Sequence, residues 1–280
     1  MSRLYSSQAS LAAPALCLLL ASSFAPSPVR AEAPAEPAQE DPTGLDPQWS
    51  MERFAWTGEL PEGARIRLVN EFGDIRTRDS AGARVDVSAV IQQREDVAAE
   101  FDVHVRESDE ELLVEVRFPA ATIDPGLLRP GMRPDRRVDL VVFVPPGAEL
   151  EARTVRGLLE AKGLSAHAEL SSERGDIVIS TSASASANTR HGAIRALFKE
   201  PGWTAPVRLE TLTGDVSVEL PPALNADAHV STRAHITSDY SIEIVREGLL
   251  KTGRAVIGAG GQDLRIVTNK GGVQLLASIR

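Results

Sequence analysis

Apart from Cys17, the 280-residue sequence contains no cysteine. A disulfide framework, a cysteine-built zinc centre and a thiol nucleophile are thereby excluded from residue 18 onward. Aromatic side chains are also scarce, at 4% of residues, so the core must be built from Val, Ile, Leu and Ala. Such side chains suit thin, regular layers better than one bulky centre. No stretch beyond the N-terminus is apolar for long enough to span a bilayer as a helix. No segment repeats its apolar residues with the period of a helix over more than a turn or two, Ile244–Lys251 included. Cations are outnumbered, 30 against 39 acids, and the net charge of −9 disfavours non-specific association with nucleic acid or anionic membranes.

What is present begins with Met1–Ala31, which reads as a secretory signal peptide. Arg3 supplies the positive start, Leu11–Phe24 the apolar region, and Val29-Arg30-Ala31 the small-residue cleavage site. Leu16 before Cys17 fits poorly with a lipoprotein signal. Cleavage leaves 39 acidic and 28 basic residues, a charge of −11, and no transmembrane segment in the mature chain. Residues 32–48 carry Pro34, Pro37, Pro42 and Pro47 among Ala and Glu, the composition of a disordered linker. Residues 49–280 form the β-strand-repeat domain, opening on Trp49, Phe54 and Trp56.

Within it the apolar period is two, as in Ile66 and Leu68, or Val138, Leu140, Val142 and Val144. The alternation is broken by recurring corners: Val69-Asn-Glu-Phe-Gly-Asp74, Thr154-Val-Arg-Gly157, Ser172-Glu-Arg-Gly-Asp176, Thr189-Arg-His-Gly192, Thr211-Leu-Thr-Gly-Asp215 and Thr268-Asn-Lys-Gly271. His235-Ile-Thr-Ser-Asp-Tyr240 reads as a degenerate copy, with Ser238 in the glycine's place. Gly157, Gly175, Gly192 and Gly214 follow one another at intervals of 18, 17 and 22 residues. Two strands per unit at such spacing predict an all-β fold, a β-solenoid or single-stranded β-helix-like domain, with an antiparallel sandwich or meander as the alternative. Gly73, Gly157, Gly175, Gly192, Gly214 and Gly271 are read as structural turns, and Asp74, Asp176, Asp215 and Asp239 as acceptors for corner amides. The alternating Ser180–Ala187 run is read as one strand in a narrow part of the core.

Chemistry is harder to find. There is no GxSxG, no HExxH and no phosphate-cradling loop before a helix, and the five histidines are scattered. No catalytic residue, metal site or cofactor is assigned. The loop from Ala120 to Arg137 interrupts the repeat and carries Arg129, Arg133, Arg136 and Arg137, a candidate anion-binding surface with Trp203 as a candidate sugar platform.

The order of these units resembles the bacterial putative adhesin family, exported β-strand-repeat proteins without agreed catalytic residues. The resemblance rests on Leu68–Ile75, the valine-rich strand running into Pro145-Pro146-Gly147, and the serial corners at Gly157, Gly175-Asp176 and Gly214-Asp215. It covers roughly residues 64–279 and implies a β-repeat fold and an envelope location. The expected function is an exported, non-enzymatic protein with a binding, adhesion-like or structural role at the cell envelope, in the periplasm or at the cell surface. Its partner would be an envelope protein or glycan, not nucleic acid. The alternatives are a polysaccharide-active β-helix enzyme and an envelope-stress signalling accessory. Mass spectrometry of the exported protein is expected to find Glu32 at the N-terminus; a chain still carrying residues 1–31 would refute the cleavage site.

Overall fold

The computed structural model describes residues 49–61, 63–94, 102–118, 136–203 and 205–278. The signal-peptide and linker readings, and Arg129 and Arg133, lie outside these residues. Every regular element among them is a strand. Chain order begins with β1 (Trp49–Glu59), β2 (Arg65–Phe72), β3 (Ile75–Asp79), β4 (Arg84–Arg94), β5 (Asp102–Glu107), β6 (Glu111–Arg117) and β7 (Arg136–Val144). It continues with β8 (Glu149–Arg156), β9 (Leu159–Leu164), β10 (Ala168–Arg174), β11 (Ile177–Thr181), β12 (Ala185–His191), β13 (Ile194–Phe198), β14 (Val207–Thr213) and β15 (Val216–Leu220). It ends with β16 (Ala226–Thr232), β17 (Ile236–Ser238), β18 (Glu243–Glu247), β19 (Leu250–Ile257), β20 (Gln262–Lys270) and β21 (Val273–Ala277).

The middle of the chain is a two-sheet solenoid. In one sheet β8, β10, β12 and β14 pair parallel and in register; in the other β9, β11, β13 and β15 do the same. Each rung is one strand in each sheet joined by a glycine corner. Alternate residues therefore point inward, and Leu170, Ala187 and Leu209 stack along one sheet against Ile177, Ile194 and Val216 along the other, all buried.

At both ends the stacking order departs from chain order. The rung β2–β3 sits between β6–β7 and β8–β9, and β20–β21 sits between β14–β15 and β16–β17. Sequence periodicity suggests simple sequential stacking; the observed order shows that the chain lays down a distant rung and then returns to fill the gap. Antiparallel strands finish the stack: β4 and β1 extend one sheet, β5 the other, and β19 and β18 extend that second sheet at the far end.

The glycine corners form a continuous column. A Cβ on Gly175 would fall into the carbonyl of Gly157, one on Gly192 into that of Gly175, and one on Gly271 into that of Gly214. Close backbone approach therefore demands glycine at these corners, and at Gly73 and Gly214 the positive φ demands it as well. Three residues before each glycine stands a small hydroxyl or amide side chain. Thr189 Oγ1 donates to Gly175 O (3.1 Å), Thr211 to Gly192 O (3.0 Å), Thr268 to Gly214 O (2.9 Å) and Thr232 to Gly271 O (2.6 Å). Asn70 Nδ2 donates to Val138 O at 2.7 Å in the same way, while the Ser172 hydroxyl finds no partner. One residue after the glycine, Asp74 Oδ1 accepts from Leu158 N (3.0 Å), Asp176 from Ala193 N (2.8 Å) and Asp215 from Gly272 N (2.6 Å). These buried or half-buried amides would otherwise be orphaned.

Two local readings are corrected. The corner between β16 and β17 is Arg233-Ala234, since Thr232 bonds the column and His235 O receives Val273 N; Ser238 ends β17 opposite Leu275. Asp239 therefore lies at the exit of the rung, accepting from Ala277 N, and not beside the glycine column. The Ser180–Ala187 run is not one strand: it ends β11, turns at Ser182-Ala183-Ser184 and opens β12, with Thr181 Oγ1 accepting from Ala183 N at 3.0 Å. Its small inward residues are Ala185 and Ala187, both buried.

Gly175→Ala is expected to destabilise the protein by about 2–4 kcal/mol, because its Cβ would lie 1.8 Å from Gly157 O and backbone must move. Thr211→Val should cost about 1 kcal/mol, the net worth of one hydroxyl–carbonyl bond. Urea unfolding midpoints for the two variants check both the sizes and their order.

Candidate ligand-binding surface

Outward-facing residues of the in-register sheets form rows that run along the stack. Between β2 and β8 these rows set opposite charges side by side. Arg65 and Glu149 are register neighbours with an ion pair of 3.0 Å, and Arg67 and Glu151 repeat the arrangement at 3.5 Å. On the opposite sheet Glu160 lies between Arg78 and Lys162 and pairs with both. Burial pushes the Glu160 carboxyl upward, but the hydrogen bonds and charges of Lys162 and Arg78 outweigh it and hold the group below its ordinary value.

The C-terminal half is different. Register pairing places Arg208 of β14 beside Arg265 of β20, Arg265 beside His229 of β16, and His229 beside Arg254 of β19. All four side chains are exposed. Arg265 has a 3.6 Å contact with Glu210; among the described residues Arg208 and Arg254 have no ion-pair partner, and neither do Arg190 and Arg233 on the same face. The row ends at Glu243 of β18, opposite Arg254.

This face is concave. A depression of about 500 Å³ is lined by His229, Arg254, Arg265, Glu243, Val245 and Thr252, among others. A second, of about 390 Å³, continues it toward Asn188, Arg190 and Arg233. The two share Ser231 and Val267. Together they make an open trough across β12, β14, β20, β16, β19 and β18. Its far rim is β18, whose residues are all exposed and whose Val245 faces the depression.

No family model and no curated protein matches the chain. Solved structures similar to it include that of a putative cell adhesion protein from Clostridium sporogenes, with a TM-score of 0.44 and 11% identity over 81% of this chain and 100% of that one. A putative adhesin from Bacteroides fragilis gives a TM-score of 0.26 at 10% identity, covering 81% of this chain and 97% of the other. A putative adhesin from Parabacteroides merdae gives 0.26 at 11%, covering 82% and 97%.

Of the residues named from sequence, Arg136, Arg137 and Trp203 are described, and none of the three lines either depression. Arg137 is occupied, bonding Asp139 at 2.8 Å and Asp74 at 3.0 Å, so it ties β7 to the first glycine corner. Arg136 is half-buried in the same strand. Trp203 is only 6% exposed and lies against Phe198 with ring centroids 4.8 Å apart, while its carbonyl accepts from Gln262 Nε2. It fills the space between β13 and β14 and presents no face to a sugar. The acidic hairpin tip at Asp109–Glu111 borders a hollow with Arg65 and Glu149. Among the described residues no group of three or more potential metal ligands converges, and no helix is long and apolar enough to cross a membrane.

The cation row was missed because its members come from β14, β16, β19 and β20, strands whose spatial order differs from their chain order. The only available signal was that each of the four occupies an outward position beside a buried aliphatic.

Because the folded Glu160 group sits below its unfolded value, its contribution is present above the ordinary glutamate range and fades as pH falls through the folded value. Glu160→Gln should therefore lower the urea midpoint at neutral pH, with the difference from the parent shrinking in strong acid. A difference that stays constant with pH would contradict the assignment.

Proposed function

We propose that the protein is an exported, non-enzymatic β-repeat protein with a binding, adhesion-like or structural role at the bacterial cell envelope. The observation that carries this reading is the open trough, laid across strands paired in continuous register, of which β12, β14, β16 and β20 are also tied to the corner column. A rigid, elongated and shallow face suits recognition of an extended partner. The export-signal reading of residues 1–31 and the resemblance read from the repeat order support the compartment.

A hydrolytic reading requires two carboxylates across a scissile bond, roughly 5–10 Å apart. Glu243 and Asp263 border the larger depression on β18 and β20, with β19 and β16 between them, a backbone separation of roughly 14 Å. Asp227 is the register neighbour of Asp263, but its carboxylate accepts from Gly261 N at 2.9 Å and so serves the turn between β19 and β20. Glu210 is held by Arg265. These engagements favour binding over bond cleavage.

Immobilised protein is expected to retain a component of the envelope fraction unchanged in length, and Val267→Trp, which fills the trough, should abolish retention. Equal retention by the Val267→Trp variant, or shortening of a retained polymer by the parent but not by Asp263→Asn, would overturn the reading.

A further inference from the structure

Like charges directly opposite one another on neighbouring strands destabilise a sheet, and opposite charges stabilise it. Strands β2 and β8 follow that rule, pairing Arg65 with Glu149 and Arg67 with Glu151 in register, and like charges elsewhere in the N-terminal half, such as Glu151 beside Glu169, come two at a time. The C-terminal half breaks it. Arg208, Arg265, His229 and Arg254 stand side by side on four consecutive strands, and only Arg265 contacts an acid, at 3.6 Å. Nothing in the fold uses this row: the four side chains are exposed, and the buried residues beneath them, Leu209, Leu264, Ile266 and Val230, would pack equally well under acids or serines. An unneutralised cation row on a rigid face is a site for an anion supplied from outside.

The dimensions of the row describe that anion. It is single-file and three strand spacings long, roughly 14 Å, with an arginine on three of the strands and a histidine on the fourth. It is also flanked by acids: Asp263 and Asp227 two residues toward one side, Glu210 two residues toward the other, and Glu243 at its end. A broad anionic surface, whether duplex or membrane, would meet those carboxylates and a chain of net charge −9. Single-stranded nucleic acid binds by stacking its bases on aromatic rings, and no aromatic side chain lines either depression. A polymer with one carboxylate per unit and hydroxyl donors at its edges fits all three features. Its carboxylates meet the cations, its hydroxyls donate to the flanking acids and to Ser231 and Thr252, and a pyranose ring is close to one strand spacing in length.

We infer that the row Arg208–Arg265–His229–Arg254 binds a linear polyuronate, laid along the stacking direction with its successive carboxylates over successive strands. This rests on the reading of the trough as a binding surface and names the chemical class of its ligand.

The test is affinity electrophoresis of the full chain in gels containing polygalacturonate, neutral dextran or single-stranded DNA, at low and raised salt. Retardation by polygalacturonate alone is expected, weakening as salt rises. The triple variant Arg208→Ala/Arg254→Ala/Arg265→Ala should lose about tenfold or more in affinity, while Arg195→Ala, on the outer face of the other sheet, should leave it unchanged. Urea midpoints confirm that the variants are folded. Undiminished binding by the triple variant, equal retardation by DNA, or no retardation of the parent by polygalacturonate would each overturn the inference. In the last case, retention of another envelope component that Val267→Trp abolishes would leave the broader reading standing; failure of both would remove the two together.

Discussion

Six corners of this solenoid bring two backbones closer than any side chain permits. The carbonyl of one corner glycine occupies the space in which the next would carry its Cβ, as Gly157 does for Gly175 and Gly214 for Gly271. At Gly192, Gly214 and Gly271 the threonine three residues earlier donates its hydroxyl to that same carbonyl, and the aspartate one residue after a corner glycine, where there is one, accepts the next corner's amide. Strand register follows from this column. Once the corners are aligned, the inward residues of neighbouring rungs must lie over one another, and a one-residue slip would turn every buried aliphatic toward water. The chain thus achieves with glycine, hydroxyls and carboxylates what a sequence with a single cysteine cannot achieve with an internal disulfide.

The same column allows rungs to be laid down out of order. Any strand ending in the corner pattern is an acceptable neighbour for any other, so β2–β3 can be flanked by β6–β7 and β8–β9, and β20–β21 by β14–β15 and β16–β17. Interleaving ties each end of the stack into the chain at two places. It also leaves the terminal strands antiparallel. At the C-terminal end β18 is an exposed edge, and its Glu243, Arg246 and Glu247 discourage strand addition by another chain.

Much of this was legible in the residues. Alternation marked the strands, and glycines at 17- to 22-residue intervals marked the corners and the two-strand unit. The Thr, Ser or Asn three residues before each corner glycine was equally visible, but only the structure shows the partner, because the accepting carbonyl belongs to a different rung. Ser238 was mistaken for a corner because the Arg233-Ala234 turn has no glycine; its place is revealed by pairing with β21, not by composition. The Ser-Ala run hid its corner at Ser182-Ala183-Ser184 because alternation of small residues continues straight through the turn. Rung order was beyond reach for the reason that makes the fold work: the units are interchangeable by local pattern.

That interchangeability also decides where specificity can reside. A loop interruption such as the arginine-rich segment before β7 draws notice in a sequence, yet its described end, Arg137, is spent on Asp74 and Asp139 at the first corner. The outward rows, by contrast, are free to vary, since their side chains contribute little to the stack. Two unit charges one strand spacing apart in water repel by about 1 kcal/mol or less. A row of three arginines and a histidine is therefore a tolerable burden on a fold whose stability comes from its corners and buried aliphatics. The burden is not neutral, however, for domains are stable by only about 5–15 kcal/mol. A ligand that relieves the repulsion gains from contacts and from the repulsion it removes, and the in-register ladder keeps the backbones of these residues one strand spacing apart.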